Sequence, residues 1–345
     1  MAAVSLITGV TGQDGSYLSE LLLDKGYVVY GMIRRISSDN TSRVKHLLAN
    51  DKFKLVYGDI TDFSSIGNIL REIKAGNPQV ILIFNLCAQS HVGVSFENSL
   101  YTANVNSIGV LNILEVIRQF DLLDKVRFYQ ASTSEMFGKI VEKPQTEKTP
   151  FYPRSPYGVS KLSAHWFVKN YREAYNLFAC NGVLYNHESP RRGEEFVSRK
   201  ITLGINDILQ GKLEYLEMGN INSLRDWGHA KEYVRAMYMI LQQEEPDDYV
   251  IATGQQHSVR EFIEKAFKLV GYSIKWRGEG IDEEGYDEIS GRLLIKINPK
   301  HFRPSEVDDL LGDSSYAKEK IGWVNEISFD DLVKEMVECD CKIKL

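Results

Sequence analysis

The opening stretch VSLITGVTGQDGSYLSELL restricts the fold more than any other part of the chain. An apolar run over residues 4–10 turns through Gly9, Gly12 and Gly15 into an amphipathic segment over 13–25. That is a strand, a tight turn and a helix. Glycines at such a turn let the backbone close on a pyrophosphate, and the N–H groups of the first helical turn stabilise its charge. The spacing is GxxGxxG rather than the commoner GxGxxG, so its weight comes from its place on the first strand and from the βαβ unit behind it.

Further apolar runs at 27–33, 53–59, 79–86, 126–132 and 178–186 alternate with helical stretches. One of these is opened by Asp62 as N-cap, one runs from about 96 to 119, and one carries Tyr157. Short alternation of this kind predicts parallel pairing and an α/β fold, a Rossmann-type doubly wound parallel sheet. Past residue 186 the rhythm breaks. The expected division is a dinucleotide-binding domain over 1–186, also receiving a segment near 222–250, and a smaller mixed α/β substrate lobe over 187–345. That lobe scatters Arg191, Arg192, Arg199, Lys200, Arg225, Arg277, Arg292 and Arg303 among short elements.

A net charge of −6 on 345 residues argues against a general nucleic-acid binder, whose affinity rests on many phosphate contacts. Cys87, Cys180, Cys339 and Cys341 form no CxxC pair and no metal-ligand spacing, which suits reduced thiols and no metal. The strand-like start has no basic leader, and no long apolar segment stands out. A cytoplasmic chain off the membrane is the expectation.

The end of the second strand discriminates between cofactors. A carboxylate there accepts the ribose 2′-hydroxyl of NAD; this chain has MIRRISSDN. Arg34 and Arg35 attract a 2′-phosphate, Ser37 adds a donor, and NADP is favoured. Asp59 after the third strand, a candidate adenine contact, and residues 85–92 after the fourth fall at the carboxyl edge, where ligands bind in open α/β sheets.

The stretch SPYGVSK places Tyr157 and Lys161 four apart, neighbours on a helix surface. A lysine beside a phenol favours phenolate and lowers a pKa near 10. About one such spacing arises by chance in a chain of this make-up, and Tyr316–Lys320 is a second. The pair acquires meaning from YQASTSEMFG, which ends a strand and sends Thr133 and Glu135 toward the edge that Tyr157 and Lys161 approach.

With these residues in view, the chain resembles the extended short-chain dehydrogenase/reductases, and among them the GDP-mannose 4,6-dehydratase family. The resemblance runs end to end through TGVTGQDGSYL, the double-arginine loop, STSE, SPYGVSK, LYNHESPRRGEEFVSRK, LRDWGHA and FRPSEVDDLLGD. It implies Thr133, Glu135, Tyr157 and Lys161 as catalytic residues. Cofactor contacts are implied at Gly9, Thr11, Gly12, Gln13, Asp14, Gly15, Arg34, Arg35, Ser37, Asp59, Ile60, Leu86, Ala88, Ser90, His187 and Arg192, besides Tyr157 and Lys161. Substrate contacts are implied at Ser90, Asn186, Glu188, Lys200, Arg225, Arg303 and Glu306, besides Thr133, Glu135 and Tyr157. Arg191 and Arg199 are weaker candidates. In such a family a GDP-hexose is oxidised at C4, loses water across C5 and C6, and is reduced at C6, giving GDP-4-keto-6-deoxymannose. Glu135 suits removal of the C5 proton. The related dTDP-glucose dehydratases carry an aspartate where this chain has Ser134, which leaves open what protonates the departing hydroxyl. The resemblance also implies a homo-oligomer, a tetramer built through the polar stretch from Arg35 to about His46. A reduction of the product to GDP-rhamnose by NADPH follows from the same geometry. A sugar-nucleotide epimerase, a dTDP- or CDP-sugar dehydratase and a non-catalytic NADP sensor are the rival readings.

Overall fold

The computed structural model describes residues 3–302, 305, 307 and 309–344. Arg303 and Glu306, both expected at the substrate, lie outside the described residues.

The first half runs β1 (Val4–Thr8), α1 (Gln13–Asp24), β2 (Val28–Ile33), β3 (Phe53–Tyr57), α2 (Phe63–Ala75), β4 (Ile81–Asn85), α3 (Val92–Glu97), α4 (Ser99–Ala103), α5 (Gly109–Gln119), β5 (Val126–Thr133), α6 (Pro156–Tyr175) and β6 (Phe178–Leu184). The second runs β7 (Asn186–Glu188), α7 (Val197–Leu209), β8 (Leu216–Met218), β9 (Leu224–Arg225), β10 (Trp227–His229), α8 (Ala230–Ile240), β11 (Asp248–Ile251), β12 (His257–Ser258), α9 (Val259–Leu269), β13 (Ile274–Arg277), β14 (Glu284–Asp287), β15 (Leu293–Ile297), α10 (Ser315–Ile321) and α11 (Phe329–Cys341).

Seven strands form one sheet in the order β11-β6-β5-β4-β1-β2-β3, every pair parallel. The doubly wound sheet expected from the alternation is therefore present. β4 reads ILIFN and is buried at every residue, as a strand covered on both faces must be. One face is sealed by α1 and α8 through residues such as Leu18, Leu22, Tyr233 and Met237. The other is sealed by α2, α5 and α6 through Ile69, Ile113, Leu114 and Val168. Each such fully buried side chain contributes roughly 1.5–3 kcal/mol. A separate core under α7, α9 and α11 carries the four-stranded sheet β13-β14-β15-β8.

The helical stretch expected over 96–119 is interrupted: α4 passes through a π-helical turn at Asn104–Ile108 into α5. Contrary to the expectation of no long apolar segment, Ser99–Gln119 is long and apolar enough by composition to cross a bilayer. Its inner face packs on the sheet through Val105, Val110, Ile113 and Ile117, the ordinary cause of such a run in a core helix.

Candidate active site

Strand order reverses between β1 and β4, which opens a crevice at their carboxyl ends. The glycine turn lies there. Gly9 has φ +70°, and its backbone lies so close to β4 that an added Cβ would stand 3.1 Å from the Cys87 backbone. A Cβ at Gly15 would meet Gly9 O at 2.5 Å and Val10 Cα at 2.6 Å, so only glycine lets α1 begin against the turn. Gly12 caps α1 and donates to Gly9 O at 3.0 Å. The Thr11 carbonyl accepts from Arg43 at 3.3 Å. These features fit a pyrophosphate over a helix N-terminus.

Gln13 and Asp14, expected to face a cofactor, are engaged with the strand beyond. Gln13 Nε2 donates to His187 O at 3.0 Å and Gln13 Oε1 accepts from Ser189 at 2.8 Å. His187 Nε2 lies 2.8 Å from Asp14 Oδ2, and its ring stacks on Tyr233. Burial pushes the Asp14 carboxyl up, but His187 and then Arg192 more than reverse this and hold it below its usual range. His187, which burial alone would lower, is raised by Asp14. The contact between the two ties α1 to β7.

Arg34, Arg35 and Ser37 are exposed past the end of β2. Arg34 donates to the Tyr101 hydroxyl at 2.9 Å, and Arg35 stacks on Tyr57 at 4.2 Å. Asp59 is engaged with Thr61 N and Oγ1 at 2.9 and 2.8 Å. Ile60 is a core residue, 1% exposed. Leu86, Ala88 and the exposed Ser90 lie on the segment leaving β4.

Thr133 ends β5, and Glu135 follows in a 3₁₀ turn whose N–H donates to Thr133 Oγ1 at 3.2 Å. Opposite, Ser155 caps α6 by accepting from Gly158 N at 3.0 Å, with Pro156 at the first helical position. A Cβ on Gly158 would stand 2.8 Å from Glu135 O, so this glycine lets α6 close on the turn that carries the carboxylate. Tyr157 is 9% exposed, and its hydroxyl interacts with Thr133, with Glu135 and Arg192 in electrostatic reach. Lys161, 3% exposed, donates from Nζ to the Ala131 carbonyl at 2.9 Å and lies 5.9 Å from the Tyr157 ring centroid.

The expected lowering of the tyrosine does not occur in this state of the protein. Burial pushes Tyr157 up to about 12 and outweighs the Thr133 hydrogen bond. Burial likewise draws Lys161 down to about 8. Both charged forms are disfavoured because the crevice removes water and, among the described residues, no carboxylate pairs with the ammonium.

Asn186 and Glu188 lie on β7, which pairs with β10. Glu188 is 1% exposed, accepts from the Ser198 hydroxyl and pairs with Arg192 Nε at 3.1 Å. It braces Arg192, whose guanidinium stacks on Phe196 at 3.8 Å. Lys200 sits 3.4 Å from His301 Nε2. Arg225 is 8% exposed and donates to Leu224 O at 2.8 Å. The weaker candidates are held in pairs: Arg191 with Glu20 at 2.7 Å and Arg199 with Asp340 at 2.7 Å.

Two residues escaped the sequence reading. Arg43 Nε donates to Arg191 O at 2.8 Å while its Nη1 reaches Thr11 O, strapping the double-arginine segment to the glycine turn. Asn106, in the π-helical turn, brackets Gln89 N and O at 2.8 and 3.0 Å and donates to Ser160 at 3.3 Å. It joins the loop after β4 to α6. A π turn in mid-helix often marks a functional site, but nothing in NVNSI announces one.

The parallel sheet, the glycine turn and the second lobe define an extended short-chain dehydrogenase/reductase. The family model described as GDP-mannose 4,6 dehydratase matches residues 6–336, and the chain belongs to that family. A protein of that name from Drosophila melanogaster is 54% identical over 346 residues, covering 99% of this chain and 86% of that protein. The Homo sapiens protein of that name is 51% identical over 346 residues, covering 99% and 92%. Among solved structures, dTDP-glucose 4,6-dehydratase from Bacillus anthracis in complex with NAD superposes with a TM-score of 0.78 at 22% identity, over 98% of this chain and 96% of that one. That likeness concerns the fold.

Proposed function

We propose that this protein dehydrates GDP-mannose to GDP-4-keto-6-deoxymannose, using a nicotinamide dinucleotide, specifically NADP. The observation that carries the reading is the convergence of Thr133, Glu135, Tyr157 and Lys161 at the carboxyl end of β5, beside the glycine turn. Family membership supports the substrate. The turn through Gly9, Gly12 and Gly15 holds the pyrophosphate, and Arg34 and Arg35, stationed past β2 without an adjacent carboxylate in MIRRISS, take the 2′-phosphate. When bound, NADP supplies redox chemistry at C4 and at C6, with no net change.

The chain's own side chains move the protons. Tyr157 takes the proton of the 4-hydroxyl as phenolate, a form that burial disfavours and that positive charge beside it in the loaded site would restore. Lys161 keeps the charge of that phenolate balanced and holds a ribose hydroxyl. Thr133 donates to the C4 oxygen. A ketone at C4 acidifies C5, and Glu135, half-buried and close to Tyr157, removes that proton. Its acid form then returns the proton to the departing 6-hydroxyl, which leaves as water without an aspartate at Ser134; C5 regains one proton when C6 is reduced, equal in number to the one Tyr157 took from the 4-hydroxyl. Asn186, Arg192, Lys200, Arg225 and, from the sequence alone, Arg303 and Glu306 hold the GDP half. Arginine forks match phosphate oxygens. The exposed apolar residues Leu100, Ile108, Val159 and Trp166 on α4–α6 and the exposed segment after Arg34 suit a homo-oligomer, which we take to be a tetramer.

Mass spectrometry of GDP-mannose incubated with the protein tests this directly. A product lighter by one water supports dehydration; an isomer of equal mass indicates an epimerase, and unchanged substrate indicates a sensor. NADP and NAD titrated against the protein decide the cofactor.

A further inference from the structure

Beneath this quartet a row of buried polar side chains crosses three strands. Thr8 closes β1, Asn85 closes β4 and Gln130 stands in β5; they are 1%, 0% and 0% exposed. The Thr8 hydroxyl donates to Asn85 Oδ1 at 2.6 Å, Asn85 Nδ2 to Gln130 Oε1 at 2.7 Å, and Gln130 Nε2 to the Ala131 carbonyl at 3.1 Å. That carbonyl is the acceptor that holds Lys161 Nζ. At the other end the backbone N–H groups of Leu86 and Cys87 both donate to Thr8 Oγ1 at 3.1 Å.

Chemistry sets the direction of the row. A backbone N–H only donates, so the Thr8 oxygen receives two bonds and its one hydrogen must go to Asn85. Asn85 then faces Thr8 with its oxygen and Gln130 with its NH2 group. Gln130 is left to offer its own NH2 group to Ala131. Reversing one amide alone would set like against like in a dry interior, where an unmatched polar group costs more than a bond gains. Apolar side chains would serve the packing of three central strands with no such constraint.

We infer that Gln130, oriented by Asn85 and Thr8, is a positioning residue for Lys161. It holds the carbonyl on which the ammonium rests and ties it to the β4 edge at Leu86 and Cys87, where the cofactor is proposed to lie. The inference rests on the role proposed above for Lys161. Sharing one acceptor between an amide and an ammonium anchors the lysine without giving it a counter-charge. Its other N–H groups remain for Tyr157 and a ligand. The groups that face the ammonium are Tyr157 on α6 and Cys87 from the β4 edge.

The test uses the full chain. Thr8→Val keeps the shape and removes the hydroxyl, Thr8→Ser keeps the hydroxyl, and Gln130→Met removes the amide. The titration of Lys161 is followed by NMR on protein isotopically labelled at lysine Cε, with Lys161→Met to assign the signal, and turnover of GDP-mannose is measured alongside. The Gln130 N–H aims its positive end at the lysine's own acceptor, so removing it raises the Lys161 midpoint by roughly half to one pH unit. Thr8→Val raises it in the same direction, Thr8→Ser leaves it in place, and the double variant Thr8→Val, Gln130→Met moves it no further than Gln130→Met. Turnover falls about tenfold in Gln130→Met with KM little changed, the mark of an interaction made in the transition state. An unmoved midpoint in folded Gln130→Met, or shifts that add in the double variant, overturns the inference, because a row that only joins strands lowers stability without touching the titration. If Thr8→Val does not fold, the Gln130→Met midpoint decides alone. The midpoint needs no turnover, so a protein that leaves GDP-mannose unchanged sinks the proposed function, while the titration still decides whether Gln130 positions Lys161.

Discussion

Helix α6 carries a cation in each half, Lys161 buried and Arg172 partly buried, and treats the two in opposite ways. In its C-terminal half, Arg172 grips Asp248 with two bonds at 3.1 and 2.8 Å, and Asn181 Nδ2 adds a third at 2.9 Å. Burial pushes Asp248 up, yet Arg172 holds it below its usual range, and Arg172 is itself raised. His165 beside them is drawn down by burial to about 4 and stays neutral at pH 7. In the N-terminal half, Lys161 has a backbone carbonyl and no ion pair among the described residues. The matched charge is a strut between α6, β6 and β11. The unmatched one is costly and therefore available for chemistry, as displaced titrations at active sites are.

The strongest way to break this comparison is Tyr157→Phe. It should lower dehydration of GDP-mannose by roughly 10³-fold and leave the melting temperature almost unchanged; mass-spectrometric rates and a thermal melt check both. Survival of more than a tenth of the activity would remove the N-terminal half of α6 from the chemistry. Next in size, Asp248→Asn leaves Arg172 without its counter-charge and should cost about 3 kcal/mol of stability in denaturant titrations, while the folded protein keeps its turnover. Loss of turnover without loss of stability would reverse the roles of the two ends.

Lys161→Met sharpens the contrast through pH. A lysine titrates near 10.4 unfolded and at about 8 here, so between those values the unfolded chain binds the extra proton and the parent gains stability as pH rises. Below pH 8 the parent bears the full cost of the buried ammonium. The variant should thus be more stable than the parent by about 1–2 kcal/mol at pH 7, with the advantage gone above about pH 10; melts at both pH values decide. Smallest is Gly158→Ala. Its Cβ forces α6 away from Glu135 O, which should cost about 1 kcal/mol and slow turnover several-fold. An unchanged rate would mean that the approach of α6 to the Glu135 turn is loose.

Much of the framework was legible because it is local. β4 announces itself as five buried apolar-to-amide residues, Asp62 caps α2 by accepting from Ser64 N at 2.9 Å, and Ser155 with Pro156 starts α6 where SPYGVSK places it. Thr133, Glu135, Tyr157 and Lys161 were legible as residue types on elements that end at one edge. The effect of their surroundings was not. Proximity of a lysine to a phenol suggested an acidic tyrosine, whereas desolvation of both groups governs and moves each away from its charged form. Nor were the partners legible that Asp14, Gln13 and Glu188 find in His187, Ser189, Arg192 and Ser198. Such partners lie as much as 176 residues apart, beyond any spacing rule.

The amino-acid order alone determined the sheet, the glycine turn and the family, because these follow from periodicity, glycine placement and extended motifs. Tertiary structure alone decided which charges are answered and which are left bare. That depends on burial and on partners supplied by distant strands, and the free energy of a charge is set by what surrounds it in space.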